Sequence, residues 1–222
     1  VGVVNQLLNL VFLVFGVSTV GTSVLCSQYL GALQQTNVRQ VIGVSLVFNT
    51  LIGVTTSAFL YFRAEALLKI MDLAPELIDE GLAYMQIVGG FAFLQAIALT
   101  MSAVLRSHNK AYYPMRVTLL MNVLNIVGNY ALIFGKFGFP ALGIAGAAIG
   151  SSLAELVSLI FFILYTRYRI DCRKFGLDRI PKFRPEILKR MLNISFWTMI
   201  QNVFSLSTWF LFFLYVEHLG ER

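Results

Sequence analysis

Six stretches of about 20 residues each, at residues 7–29, 41–62, 82–105, 117–135, 143–166 and 194–216, are almost entirely apolar. At a rise of about 1.5 Å per residue, each is long enough to cross a hydrocarbon core of roughly 30 Å. Backbone groups in lipid must find partners within their own segment or in a closed barrel, and these runs show none of the in-out alternation of barrel strands. An all-α, polytopic membrane protein with six transmembrane helices is therefore the expected fold. Only 13% of residues are charged, about half of what a soluble domain carries on its surface.

Charge decides direction. Six crossings place alternate loops on opposite sides, and thirteen Lys and Arg residues fall on one side against four on the other. The rich side holds Arg39, then Arg106, Lys110 and Arg116, then nine residues between Arg167 and Arg190. That side is expected to be cytoplasmic, with the chain in a plasma membrane such as the bacterial inner membrane. The formal charge of +6 thus needs no nucleic-acid partner; lipid headgroups suffice. The first span then runs from outside to inside. With no initiator Met and no signal peptide ahead of Val1, a longer protein with a span before it is expected.

The loops carry two further features. Between Arg63 and Gly81, Leu67, Leu68, Met71 and Leu73 with acidic residues around Pro75 predict a short interfacial helix and turn. Between Arg167 and Asn193, a Pro181 to Pro185 break precedes Ile187, Leu188, Met191 and Leu192, which predict a linker and a surface helix. Cys26 and Cys172 sit too far apart in character and place to suggest a disulfide framework or a metal site. His108 and His218 fall at the lips of spans.

Polar residues inside the spans carry the functional signal. In the fourth span, Thr118, Asn122, Asn125 and Asn129 follow spacings that place them within about 60° on one helix face. In the fifth, Ser151, Glu155 and Ser158 form a second stripe. Ser45, Asn49 and Thr56 mark the second span, Asn5, Asn9, Ser23 and Ser27 the first, and Gln95 and Ser102 the third. Hydroxyls and amides often only bond neighbouring helices, while Gly143, Gly146, Ala147 and Gly150 allow close packing. Three asparagines beside a carboxyl on the next span point instead to a hydrated cavity, because small apolar residues would pack a dry interface at lower cost. Glu155 is the sole acidic residue deep in a span, so a proton or cation site is chemically possible there; a neutral carboxyl bonded to a neighbouring helix is the alternative. No phosphate-binding loop, metal-ligand spacing or nucleophile with its base is present, so an enzyme is not expected.

Several motifs then carry a resemblance: Gly21 to Ala32 (GTSVLCSQYLGA), Leu105-Arg106, Pro114-Met115, Asn125 to Asn129 (NIVGN) and Leu132 to Ile149 (LIFGKFGFPALGIAGAAI). In order and spacing they resemble the multidrug and toxic compound extrusion (MATE) family, across nearly the whole chain. The resemblance implies two bundles of six helices around a cavity that opens alternately to each side, with Na+ or H+ driving export of organic cations and no other cofactor. The six spans look like helices two to seven. Residues 1–166 would then be most of the first bundle, 167–193 the basic link, and 194–222 the first helix of the second bundle, the remainder of the transporter being its partner.

By the same resemblance Asn125, Asn129 and Ser151 match positions of a cation or proton site, with Asn122 and Glu155 beside them. Asn129 stands where an Asp is common in that family. Trp197 stands where a Pro is expected, and Ser107 to Lys110 replaces a Gly-Asp-rich turn. Two other functions compete. A lipid-linked oligosaccharide flippase would need a basic cavity to meet pyrophosphate, and the spans hold no buried basic residue. A noncatalytic membrane scaffold would use the polar stripes only to lock helices together.

Overall fold

A computed structural model describes residues 2–70, 75–136, 138–169 and 184–220. Among them are eight helices: α1 (Gly2–Gly31), α2 (Gln35–Phe62), α3 (Ala64–Ile70), α4 (Pro75–Gly90), α5 (Ala92–Ser107), α6 (Tyr112–Phe134), α7 (Gly143–Arg169) and α8 (Pro185–Gly220). No strand occurs among the described residues. Five stretches are long and apolar enough to cross a membrane: Val4–Gly31, Gln35–Phe62, Ile78–Ser107, Tyr112–Phe134 and Gly143–Tyr168. The expected sixth crossing is helical throughout within α8, some of whose side chains lie outside the described residues.

Most helices run past their apolar segments, because nothing at those lips stops them. The breaks that do occur have visible causes. Gly135 ends α6 in the left-handed conformation, φ 65°, where its N–H still reaches the Ala131 carbonyl, a conformation that favours glycine. Pro75 opens α4, where a missing N–H costs nothing.

Of the two expectations for the loops, one changes. A short helix follows Arg63 as expected, α3, with Leu68 buried and an exposed Lys69–Glu65 ion pair at 2.6 Å; Met71 and Leu73 lie outside the described residues. The predicted surface helix at Ile187 to Leu192 is instead the opening of α8, a single helix of 36 residues unbroken at Asn193. Ile187 and Met191 are buried against Leu25, Cys26 and Val41, so this segment packs on α1 and α2 rather than lying free. Cys172 and Pro181, in the link, lie outside the described residues.

The third span is broken in mid-course. It divides into α4 and α5 at Phe91, whose φ of −100° and ψ of 9° depart from the helix. The Gly89-Gly90 pair just before it weakens the helix there, as glycine pairs do at kinks. A continuous helix would direct the Phe93 N–H to the Gly89 carbonyl; instead it donates to Ser57 Oγ on α2 at 2.9 Å. The freed donor is thus satisfied, where an orphaned buried N–H would cost about 1 to 3 kcal/mol.

Helix pairing follows the small residues. In lipid there is little hydrophobic drive between helices, so close approach and hydrogen bonds decide contacts. α6 packs chiefly on α7, and α1 is surrounded by α2, α5 and α8. A Cβ on Gly146 would lie 2.5 Å from the Leu132 carbonyl oxygen, and one on Gly150 would strike Asn129. A Cβ on Gly53 would lie 3.0 Å from Phe93 Cα and Ala96 Cβ, so α2 touches the start of α5.

Candidate functional site

Two polar clusters form where these helices meet, one near each end of the bundle. The first is enclosed and lies toward the basic end. Ser18 Oγ donates to Asn49 Oδ1 at 2.6 Å, and Asn49 Nδ2 donates to Thr100 Oγ1 at 2.9 Å. Thr22 Oγ1 sits 2.6 Å from Ser45 Oγ and 3.3 Å from Met191 Sδ. The Gly21 N–H donates to Ser195 Oγ at 3.1 Å. All six polar side chains are buried. This network joins α1, α2, α5 and α8, and its groups mostly satisfy one another.

The second cluster lines a cavity of about 350 Å³ between α1, α4, α5, α6 and α7. Asn5 and Asn9 reach it from α1, Tyr84 from α4, Gln95 from α5, Asn125 from α6, and Ser151, Ser152 and Glu155 from α7. Leu8, Phe12, Val88, Phe91, Ala92 and Met121 complete the wall. Tyr84 Oη donates to Asn5 Oδ1 at 2.9 Å, and Asn125 Nδ2 donates to Ser151 Oγ at 3.2 Å.

Glu155 faces Gln95. The outer end of the Gln95 amide lies 2.7 and 2.8 Å from the two carboxyl oxygens, and, assigned as the nitrogen because an amide oxygen there would face only acceptors, it donates to both. An amide is a versatile partner for a carboxyl. Its N–H groups stabilise the ionised form, and its oxygen accepts the proton of the neutral form. A primary amide therefore pairs with Glu155 in either protonation state by turning over. No Lys or Arg lines the cavity among the described residues, so the carboxyl has amides and hydroxyls around it rather than a counter-ion. Such oxygens suit a proton or a hard cation. No group of three His, Cys, Asp or Glu side chains able to hold a metal ion occurs among the described residues.

The site residues expected from sequence separate into three positions. Asn125, Ser151 and Glu155 line the cavity. Asn129 stands behind them: its Nδ2 donates to Asn125 Oδ1 at 2.7 Å, and its Oδ1 is packed on Gly150. Asn122 is exposed and does not line the wall. At about 100° per residue Asn122 lies 60° round α6 from Asn125, on the far side from Met121. The polar stripe and the cavity face overlap without coinciding. Tyr84 is absent from the sequence expectation because a tyrosine near a membrane lip is common for other reasons. Gln95, Asn5 and Asn9 are visible as polar residues in spans, but their convergence on Glu155 is not.

Residues 1–131 match the MatE family model. The chain is 40% identical over 195 residues to the uncharacterized transporter YisQ of Bacillus subtilis (strain 168), covering 88% of this chain and 43% of that protein. It is 32% identical over 209 residues to the probable multidrug resistance protein NorM of Thermotoga maritima, covering 92% of this chain and 44% of that one. A crystal structure of MATE in complex with MaD3S superimposes with a TM-score of 0.76 at 24% identity, over 88% of this chain and 43% of that chain. The chain thus spans under half the length of the relatives it matches.

Proposed function

The chain belongs to the MatE family, and from that membership and its cavity we propose that it forms part of a secondary active antiporter. The complete protein exports small organic cations or drugs in exchange for Na+ or H+. YisQ is described as a transporter and NorM as a probable multidrug resistance protein, which supports carrying a transport role over to this chain. The orientation follows the basic helix ends and loops, so that Arg39, Arg106, Lys110 and Arg116 face the cytoplasm of a cell whose inner membrane holds the protein.

One observation carries the mechanism: Glu155 meets Gln95 in a cavity of amides and hydroxyls. An ion or proton entering there from outside changes the bonding of Glu155, Asn125 and Ser151. Coupling requires that the outward and inward conformations hold the ion with different affinity. Residues on separate helices give that difference, because α5 and α7 change their spacing when the bundle tilts. The drug leaves outward as the ion enters. Only the coupling ion is needed as a cofactor.

A flippase is less well supported, since a pyrophosphate would meet a carboxyl rather than basic groups in this cavity. A scaffold role does not account for an open cavity beside a closed network. Replacement Glu155→Gln in the full-length protein tests the reading. Reconstituted in proteoliposomes with an imposed Na+ or pH gradient, the variant should lose gradient-driven drug movement while still binding drug. Unchanged coupling would overturn the assignment, and the gradient that drives the native protein identifies the ion.

A further inference from the structure

We propose that Ser57, outside the cavity on α2, is a positioning residue that holds Gln95 against Glu155; this rests on the reading of Glu155 given above. The argument begins at the break in the third span. Phe91 occupies the N-cap of α5 and makes no side-chain cap bond, so the first-turn donors of α5 must look elsewhere. Ser57 Oγ accepts from the Phe93 N–H at 2.9 Å and is itself buried. A neighbouring helix thus supplies the cap that Phe91 lacks.

The same face of α2 fixes the start of α5 a second time. One turn before Ser57, Gly53 lies against Phe93 and Ala96 so closely that a Cβ there would sit 3.0 Å from both. Gln95 follows Phe93 by two residues, about 200° round the helix, and so points away from α2. There its amide meets the Glu155 carboxyl at 2.7 and 2.8 Å. Phe91, at the break, and Gln95, one turn on, both line the cavity. The break therefore sets both the height and the rotation at which Gln95 arrives.

Loss of the Ser57 hydroxyl removes the partner that makes the break favourable. The Phe93 N–H then recovers its bond to the Gly89 carbonyl only if the helix straightens, which rotates Gln95 relative to α7. A hydroxyl on α2 is coupled in this way to a carboxyl on α7 that it does not touch.

The test places cysteines at Gln95 and Glu155 of the full-length protein, in a background without other cysteines, and measures their joining in membranes by a short thiol-to-thiol cross-linker. Ser57→Ala should lower the yield roughly three- to tenfold, the population change that one such bond commands. Ser57→Thr, which keeps the hydroxyl, should restore it. In the otherwise native protein, Ser57→Ala should raise the KM for the driving ion with a smaller effect on kcat, and Ser57→Thr should return both. If Ser57→Ala fails to reach the membrane, Ser57→Val replaces it, because it matches Ser57→Thr in shape, has no acceptor and adds no thiol. Cross-linking that is equal in all variants overturns the proposal. Cross-linking that falls while both Ser57→Ala and Glu155→Gln transport normally keeps Ser57 as the positioning residue and removes Glu155 from the ion site.

Discussion

The network around Asn49 and the cavity around Glu155 draw on the same kinds of side chain, and α1 and α5 contribute to both. One is closed and the other open. At Asn49 three helices converge on an amide that has a partner on each side, a fourth joins through Thr22 and Gly21, and Gly21 lets α8 approach until its backbone touches α1. At Glu155 the helices stand apart, the glycines are spent on the α6–α7 contact, and α5 begins only after a break. Polarity alone does not make a site in a membrane helix bundle. What distinguishes the two is whether small residues let the backbones close over the polar groups.

The contrast breaks most visibly at Gly21. A Cβ there would strike the Met191 carbonyl and lie 2.5 Å from Ser195 Oγ, and a backbone oxygen cannot rotate aside as a side chain does. Gly21→Val should destabilise the protein by about 3 kcal/mol, at the upper end for overpacking. Thermal unfolding in detergent measures this. A variant as stable as the native protein would mean that α8 is not held against α1.

Asn49→Leu comes next. It keeps the branched outline and the number of side-chain heavy atoms but removes the acceptor for Ser18, the donor to Thr100 and, within α2, the donor to Ser45. Interhelical hydrogen bonds in membranes average below about 1 kcal/mol each, so the loss of two with their partners left buried should total about 2 kcal/mol. Transport per folded molecule should change little, which separates this cluster from the cavity. A large drop in transport with stability intact would show that the enclosed network belongs to the ion path.

How much of this can be read from sequence depends on which physical signal is involved. The spans announce themselves because lipid demands unbroken apolar length, and Glu155 does so because an acidic residue in mid-span is rare. The resemblance to the MATE family, carried by segments such as Asn125 to Asn129, agrees with the match of residues 1–131 to the family model. The pairing of Glu155 with Gln95 is invisible, since nothing in the 59 intervening positions records that two helices will face each other. The enclosed network is equally hidden. Thr100 also bonds its own helix at the Ala96 carbonyl, 2.8 Å away, a local habit of Ser and Thr that masks any longer-range role. The break at Phe91 has a cue in Gly89-Gly90, but glycine is frequent in membrane helices. Only the distance to Ser57 identifies this pair as a kink.

The smallest expected effect lies on α6, where two asparagines three residues apart have different surroundings. Asn125 donates to Ser151 and accepts from Asn129, while Asn122 is exposed and off the cavity wall. Asn125→Leu should cost under about 1 kcal/mol of stability, because an open cavity lets solvent replace what is lost. On the proposed reading it should nevertheless weaken ion-driven transport, since it removes an amide that lines the cavity. Asn122→Leu should alter neither unfolding temperature nor transport beyond error. Equal transport defects in both would mean that Asn122 turns inward in the working protein, and the boundary drawn between wall and periphery on α6 would have to rotate by about 60°.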